Sequence, residues 1–257
     1  MAKEKRLAKP VLGKTQAALA DEWDRFAETR AKQLSSGQDL SHDLVLVPWI
    51  LKLSEKSDFE AVLDVGCGPG FLTRKLAKKA KRVVGIDMSS DNIRIAENNL
   101  GGCENVELVT TTVEEYGLRY KTPVFTLGIA NMFLMTCLNL NAALQSISEL
   151  LKPGAHLVFT ITHPWFWPVY WDYAFEDWFR YNKEIAIESP FRISLAAQQG
   201  YVTTHIHRSL EQYISSLKQA RFEIDQLVEP MPSDDVQRTY PKSWEFPRFL
   251  AMRCIRV

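Results

Sequence analysis

Ala61-Val62-Leu63-Asp64-Val65-Gly66-Cys67-Gly68-Pro69-Gly70 decides the fold: an apolar run closes on an acid and three alternating glycines. β-favouring residues that stop at glycines read as a buried parallel strand turning into a loop. Alternate glycines open dihedrals closed to other residues and let a ligand lie against the main chain. Residues 71–80 follow with apolar side chains at 72, 76, 77 and 80 and basic ones between them, which is helical spacing. Strand, glycine turn and helix start together make the place where nucleotide-like ligands bind in doubly wound folds.

Working outward, Arg82-Val83-Val84-Gly85-Ile86-Asp87 is a second strand ending on an acid. Helical spacing over 89–100 follows the candidate N-caps Ser89, Ser90 and Asp91. Strands are expected at 106–109, 124–130 and 156–161, with a helix at 140–151 stopped by Lys152-Pro153-Gly154. Strands alternating with helices imply an α/β fold with a mostly parallel sheet. Upstream, 1–20 reads as a flexible lead-in and 21–57 as a helical cap or substrate lid, with Pro48 opening or kinking the segment from Leu44 to Leu53. Downstream, Phe191 to Leu195 and Tyr201 to His207 suggest a hairpin turning at Gln198-Gln199-Gly200. A helix at 209–220, a strand at 222–228, a Pro-rich loop at 229–247 and a last strand at 249–257 end the chain. The expected organisation is one domain, with a core at 58–163, an insertion at 164–207 and the end of the core at 208–257.

Lys plus Arg and Asp plus Glu are both 31, so the formal net charge is zero. That weighs against a strongly basic face for nucleic acid or anionic membrane. No apolar stretch reads as a signal peptide or is long enough to span a bilayer. Cys67, Cys103, Cys137 and Cys254 are scattered without metal-ligand or disulfide-framework spacing, and the expectation is a reduced, cytoplasmic protein without a metal.

Three details narrow the ligand. Phe71 stands where the dinucleotide fingerprint wants its third glycine, and no P-loop lysine follows. Asp64, two residues before the first glycine, would repel a pyrophosphate and welcome an amine. Leu63-Asp64-Val65-Gly66-Cys67-Gly68-Pro69-Gly70 resembles the first motif of class I S-adenosylmethionine-dependent methyltransferases, and Gly85-Ile86-Asp87-Met88-Ser89 is similar to the second. Leu151-Lys152-Pro153-Gly154 resembles the segment before strand five, and Thr162-His163-Pro164 with Leu210-Glu211-Gln212-Tyr213-Ile214 is similar to the branch acting on small molecules. The resemblance implies a Rossmann-like seven-stranded sheet of order 3-2-1-4-5-7-6 with strand seven antiparallel. It implies S-adenosylmethionine as cofactor, with Gly66, Cys67 and Gly68 around its methionine part and Asp64 ordering the loop or meeting the amino group. Asp87 would take the ribose hydroxyls, Met88 and Val113 would sandwich the adenine, and Asn131 sits where strand four meets the cofactor. Thr112 stands where the family often has an acid on the adenine amine, and Thr126 replaces an acid early in strand four.

The acceptor side is less constrained. Residues 165–181 hold ten aromatics where the chain average of 11% gives about two. Trp165, Tyr170 and Trp171, with Trp23 upstream, are candidate substrate contacts, and ordinary packing is the other reading. His163, leaving strand five at the ligand edge, is the candidate general base or substrate orienter; bracing the turn before Pro164 is its alternative. His205 and His207 share a strand face without a third metal ligand. Aromatic walls suit an aromatic, isoprenoid or amine-containing small molecule. The alternatives are a tRNA or rRNA base methyltransferase, a non-catalytic binder or protein-modifying partner, and, more distantly, a dinucleotide oxidoreductase.

Overall fold

The computed structural model describes residues 8–257 apart from 121, 196 and the side chains of 197–199. In chain order the elements are β1 (Lys9–Pro10), α1 (Gln16–Ser35), α2 (Val47–Leu53), β2 (Ala61–Val65), α3 (Phe71–Ala77) and β3 (Arg82–Asp87). There follow α4 (Ser90–Asn99), β4 (Val106–Thr110), α5 (Val113–Gly117), β5 (Phe125–Asn131), α6 (Leu140–Leu150), β6 (Leu151–Thr162) and α7 (Phe166–Tyr170). The chain ends with β7 (Ile185–Arg192), β8 (Ala197–His207), α8 (Leu210–Gln219), β9 (Phe222–Val228), α9 (Asp234–Gln237) and β10 (Phe249–Arg256). The main sheet has seven strands in the order β4-β3-β2-β5-β6-β10-β9, and β10 runs antiparallel to both neighbours. This is the expected order with its antiparallel strand.

The strands read as unbroken apolar runs because both faces of the sheet are covered. Leu63, Val65, Val84 and Ile86 pack on one side with Tyr116 of α5, Leu144 and Ile147 of α6 and Leu217 of α8. Val62, Val83, Leu127 and Ile129 alternate to the other side, against Ile50 of α2 and Leu72 and Leu76 of α3. Ser89 accepts from Asn92 N–H at 3.1 Å, so of the three candidates it is the cap of α4. Thr126, where an acid was looked for, receives Ala61 N–H (3.0 Å) and donates to Asp58 O (2.8 Å), tying β5 to the start of β2.

Several expectations change. The lead-in is shorter than 1–20: α1 begins at Gln16, and Lys9 and Pro10 pair antiparallel with Glu188 and Ile187 of β7. A π-helical turn at His42–Leu46 runs into α2, and Pro48 in the first turn of α2 brings no N–H to that ladder. Lys152-Pro153-Gly154 lies within β6, because Leu151 already pairs with Phe125 of β5. The hairpin turns before Ala197, not at Gly200, which lies within β8. β1, β7 and β8 form a separate three-stranded sheet.

Candidate active site

The glycine loop between β2 and α3 has left-handed backbone at Gly66 (φ 70°), Gly68 (φ 55°) and Gly70 (φ 81°). At Gly66 a Cβ would sit 2.6 Å from Phe133 Cδ2, so contact as well as dihedral demands glycine. Gly66 and Cys67 both donate N–H to Ile86 O, at 2.8 and 3.0 Å, which seats the loop on β3. Asp64 is 1% exposed and accepts from Thr73 Oγ1 at 2.7 Å, so it ties the loop to α3. Burial pushes its carboxyl up to about 7, against the opposing hydrogen bond from Thr73. Asp87 accepts Gly68 N–H on Oδ2 and Ser89 N–H on Oδ1, both at 2.9 Å. Its carboxyl is raised by burial, while those two N–H groups pull it down.

A cavity of about 420 Å³ opens over this loop. Asp64, Gly66, Cys67, Gly68, Asp87 and Met88 line one end of it, together with Thr112, Val113 and Asn131. Thr112 is engaged in a capping box, its Oγ1 accepting Glu115 N–H at 3.2 Å. Asn131 Oδ1 accepts from Thr160 Oγ1 at 2.6 Å. The next residue, Met132, is left-handed (φ 57°) and lines the cavity, a strained position of the kind that gathers at ligand sites. Nothing in a methionine signals that conformation. At the other end stand Trp23 of α1, Trp167 and Tyr170 of α7, Trp171 and Phe191.

His163 is not among the residues lining the cavity. Its Nδ1 accepts the N–H groups of Trp165 and Phe166 at 3.2 Å, which leaves the proton on Nε2 to be donated to Glu229 Oε1 at 2.8 Å. Burial lowers its pKa, with Glu229 acting the other way. In this arrangement His163 braces the turn after β6, the alternative reading of that residue, and its ring stands outside the cavity lining. Trp165 too stands outside the cavity lining: it is 55% exposed and meets Tyr181 edge-on at 5.2 Å. The aromatic run divides its labour. Trp167, Tyr170 and Trp171 reach the cavity, while Tyr173 and Phe179 join Trp171 and Ile187 in a local core. His205 shares a hydrogen bond with Tyr173 Oη (3.1 Å) and His207 donates to Tyr181 O (2.9 Å). Among the described residues no cluster of three or more His, Cys, Asp or Glu is placed to hold a metal.

Several residues that line or brace the cavity wall had no sequence signal. Arg208, 2% exposed, donates to Cys137 O (2.7 Å), Leu138 O (3.3 Å) and Leu134 O (3.4 Å), holding the segment after β5 against the cavity. Arg30 pairs with Asp39 at 2.8 Å, and Arg248 lies over the rings of Tyr170 and Trp244.

A family model described as a methyltransferase domain matches residues 56–226. The chain is 27% identical over 120 residues to the ubiquinone biosynthesis O-methyltransferase of Erwinia tasmaniensis, covering 44% of this chain and 46% of that protein. It is 32% identical over 106 residues to the demethylmenaquinone methyltransferase of Tropheryma whipplei, covering 41% and 43%. The chain thus spans less than half the length of these relatives. Its fold is similar to that of a solved S-adenosylmethionine-dependent methyltransferase from Mesorhizobium loti, with TM-score 0.60, 19% identity and coverage of 81% of this chain and 96% of that one. With the matched model extending over most of the chain and the strand order in agreement, the protein belongs to the methyltransferase-domain family, in the class I S-adenosylmethionine-dependent architecture.

Proposed function

We propose that the chain transfers a methyl group from S-adenosylmethionine to a small-molecule acceptor held at the aromatic end of the cavity. The observation that carries this reading is that the glycine loop and Asp87 share one cavity with Trp23, Trp167, Tyr170 and Trp171. The residues at the loop end suit the cofactor. A Cβ at Gly68 would meet nothing within 4 Å, so main chain faces open space there. Asp87 receives two main-chain N–H groups and a side-chain hydrogen bond from Asn92, and since a carboxylate has about four acceptor sites in all, room remains for a ribose hydroxyl. Met88 and Val113 offer apolar faces to a purine, and Asp64 offers a carboxylate on the amino-acid side.

When bound, S-adenosylmethionine supplies an electrophilic methyl on a sulfonium. The chain's own task is to align an acceptor with that methyl and to exclude water. The cap, α7 and β7 close over the aromatic end to do so. His163 is held by Glu229 and two main-chain N–H groups and does not line the cavity, so no proton transfer is assigned to it. The relatives' names refer to ubiquinone biosynthesis and to demethylmenaquinone, and a flat ring of that kind suits walls of Trp and Tyr.

Calorimetry with S-adenosylhomocysteine tests the reading. One site per chain is expected, and Asp87→Ala should weaken it at least about tenfold, because a lost hydrogen bond to a charged group costs about 1.5–3 kcal/mol. Label from methyl-tritiated S-adenosylmethionine should then pass to a member of a catechol and quinol panel. A folded wild-type chain that binds no S-adenosylhomocysteine would sink the reading.

A further inference from the structure

One histidine of the cavity wall is held as a base would be. His42 lines the cavity and is 6% exposed. Its Nδ1 lies 2.8 Å from Asp43 Oδ1. A carboxylate only accepts, so Nδ1 carries the ring proton and donates it to Asp43, which leaves the lone pair on Nε2. Nε2 has no hydrogen-bond partner among the described residues and is not one of their enclosed polar atoms, so it opens on the cavity. His205, also in the wall, differs: its Nε2 is engaged with Tyr173 Oη at 3.1 Å. Asp39 is engaged as well, with Arg30 at 2.8 Å and with the His42 N–H at 3.1 Å.

The backbone sets this pair in an uncommon way. Adjacent residues on an ordinary helix do not face each other. His42 and Asp43 open the π-helical turn at His42–Leu46, and π turns are rare and gather at functional sites. Four residues on, Leu46 lines the same cavity and packs in one cluster with Trp167 and with Met132, the left-handed residue after Asn131. The turn therefore stands where the loop end of the cavity meets its aromatic end, which is where an acceptor must meet a methyl group.

Resting on the methyl-transfer reading above, we propose that His42 is the general base of the reaction, that Asp43 is its positioning residue, and that the acceptor is a phenolic hydroxyl. Nε2 takes the hydroxyl proton as the oxygen's electron pair forms the bond to the methyl carbon. The electrons of the carbon–sulfur bond leave with sulfur, so the products are a methyl ether and S-adenosylhomocysteine. The imidazolium keeps Nδ1–H on Asp43 and returns the Nε2 proton to water. A neutral amine attacks through its own lone pair and needs no base in that step, so this base fits oxygen.

Transfer of tritiated methyl at about pH 8 compares catechol, un-ionised there, with 4-nitrocatechol, which has already lost a proton. His42→Gln should slow catechol at least about 100-fold and 4-nitrocatechol no more than about threefold, because a positioned base contributes about 10²–10⁴-fold only where a proton is to be moved. Asp43→Asn, whose amide can donate to Nδ1 and reverse the tautomer, should slow catechol at least about tenfold with the same sparing. A second readout needs no turnover. In the full chain saturated with S-adenosylhomocysteine at about pH 6, bound 4-nitrocatechol should absorb as its anion in wild type and as its neutral form in His42→Gln. S-adenosylhomocysteine affinity within about twofold of wild type shows that each variant is folded. Should His42→Gln fail that control, Asp43→Asn, at a side chain 35% exposed, carries the test. Equal losses on the two catechols, no loss on catechol, neutral 4-nitrocatechol in the wild-type complex, or a wild type that binds S-adenosylhomocysteine and methylates neither catechol would overturn the proposal. Failure of wild type to bind S-adenosylhomocysteine would instead overturn the methyl-transfer reading on which it rests.

Discussion

Phe133 makes Gly66 irreplaceable twice over, by the 2.6 Å approach of its ring and by the left-handed backbone beneath it. Gly66→Ala should cost roughly 1–3 kcal/mol in urea unfolding and abolish S-adenosylhomocysteine binding. Adding Phe133→Ala should return only the clash and leave the dihedral strain. A double variant as stable as Phe133→Ala alone would show that the dihedral carries nothing. Asp64 poses a different problem, since its carboxyl is fully buried and raised to about 7, where an unfolded chain has it near 3.8. The folded state therefore holds this proton more tightly. Its contribution to stability is fully present below pH 3.8 and is lost as pH rises through about 7. Asp64→Asn keeps an oxygen for the Thr73 hydroxyl and has no charge to bury. Its stability should fall less than wild type's between pH 5 and pH 8, by a difference on the order of 2–3 kcal/mol. Parallel profiles for the two proteins would refute the assignment.

At the scale of elements, the segment between β5 and α6 depends on a side chain from far along the chain. Arg208 donates to three of its carbonyls and pairs with Glu184 at 2.5 Å, with its own side chain 1% exposed. Arg208→Ala leaves those acceptors unmet and should cost roughly 3–5 kcal/mol. For a chain of this length that is a fall in melting temperature on the order of 10 °C. A loss under about 1 kcal/mol by calorimetry would mean that water or relaxation replaces the arginine. Arg208 also shows where the sequence stops being legible. The apolar run at 61–65, its glycines and the acid of β3 are local signals, and local signals identified the central strands, the loop and the residues gathered there. Arg208 meets Cys137 across 71 positions and Arg248 meets Tyr170 across 78, and no spacing rule spans such gaps. His163 is a related case. Its place after β6 was readable, but the direction of its ring depends on Glu229, 66 residues later. The pairing of Lys9 with Glu188 is equally non-local, which is why a strand was read as a loose lead-in.

For the whole molecule, the question is how the small sheet is fastened over the large one. Lys14 pairs with Glu22 and with Glu188, Glu22 accepts Thr204 N–H at 2.9 Å, and Gln16 Nε2 lies 2.8 Å from Met88 Sδ, so α1 joins the small sheet to the loop end of the cavity. Three histidines lie beyond this junction: half-buried His205 and buried His207 on β8, and buried His163 just after β6. Burial lowers the pKa of all three, that of His205 to about 3. Each is neutral in the fold and accepts a proton more readily once the chain unfolds. The stability they contribute is present above the unfolded value of 6.5 and is lost as pH falls toward the folded values. Asp64 works in the opposite direction over part of that range, so the wild-type profile alone does not isolate the effect. His205→Gln does. It gives up the hydrogen bond to Tyr173 or retains it weakly, and is therefore less stable than wild type at pH 7. That gap should close by about 2–3 kcal/mol between pH 7 and pH 4.5, because only wild type is then protonated preferentially in the unfolded state. Urea unfolding of both proteins at half-unit steps measures the gap, and one that stays constant across the range would remove His205 from the acid response of the junction.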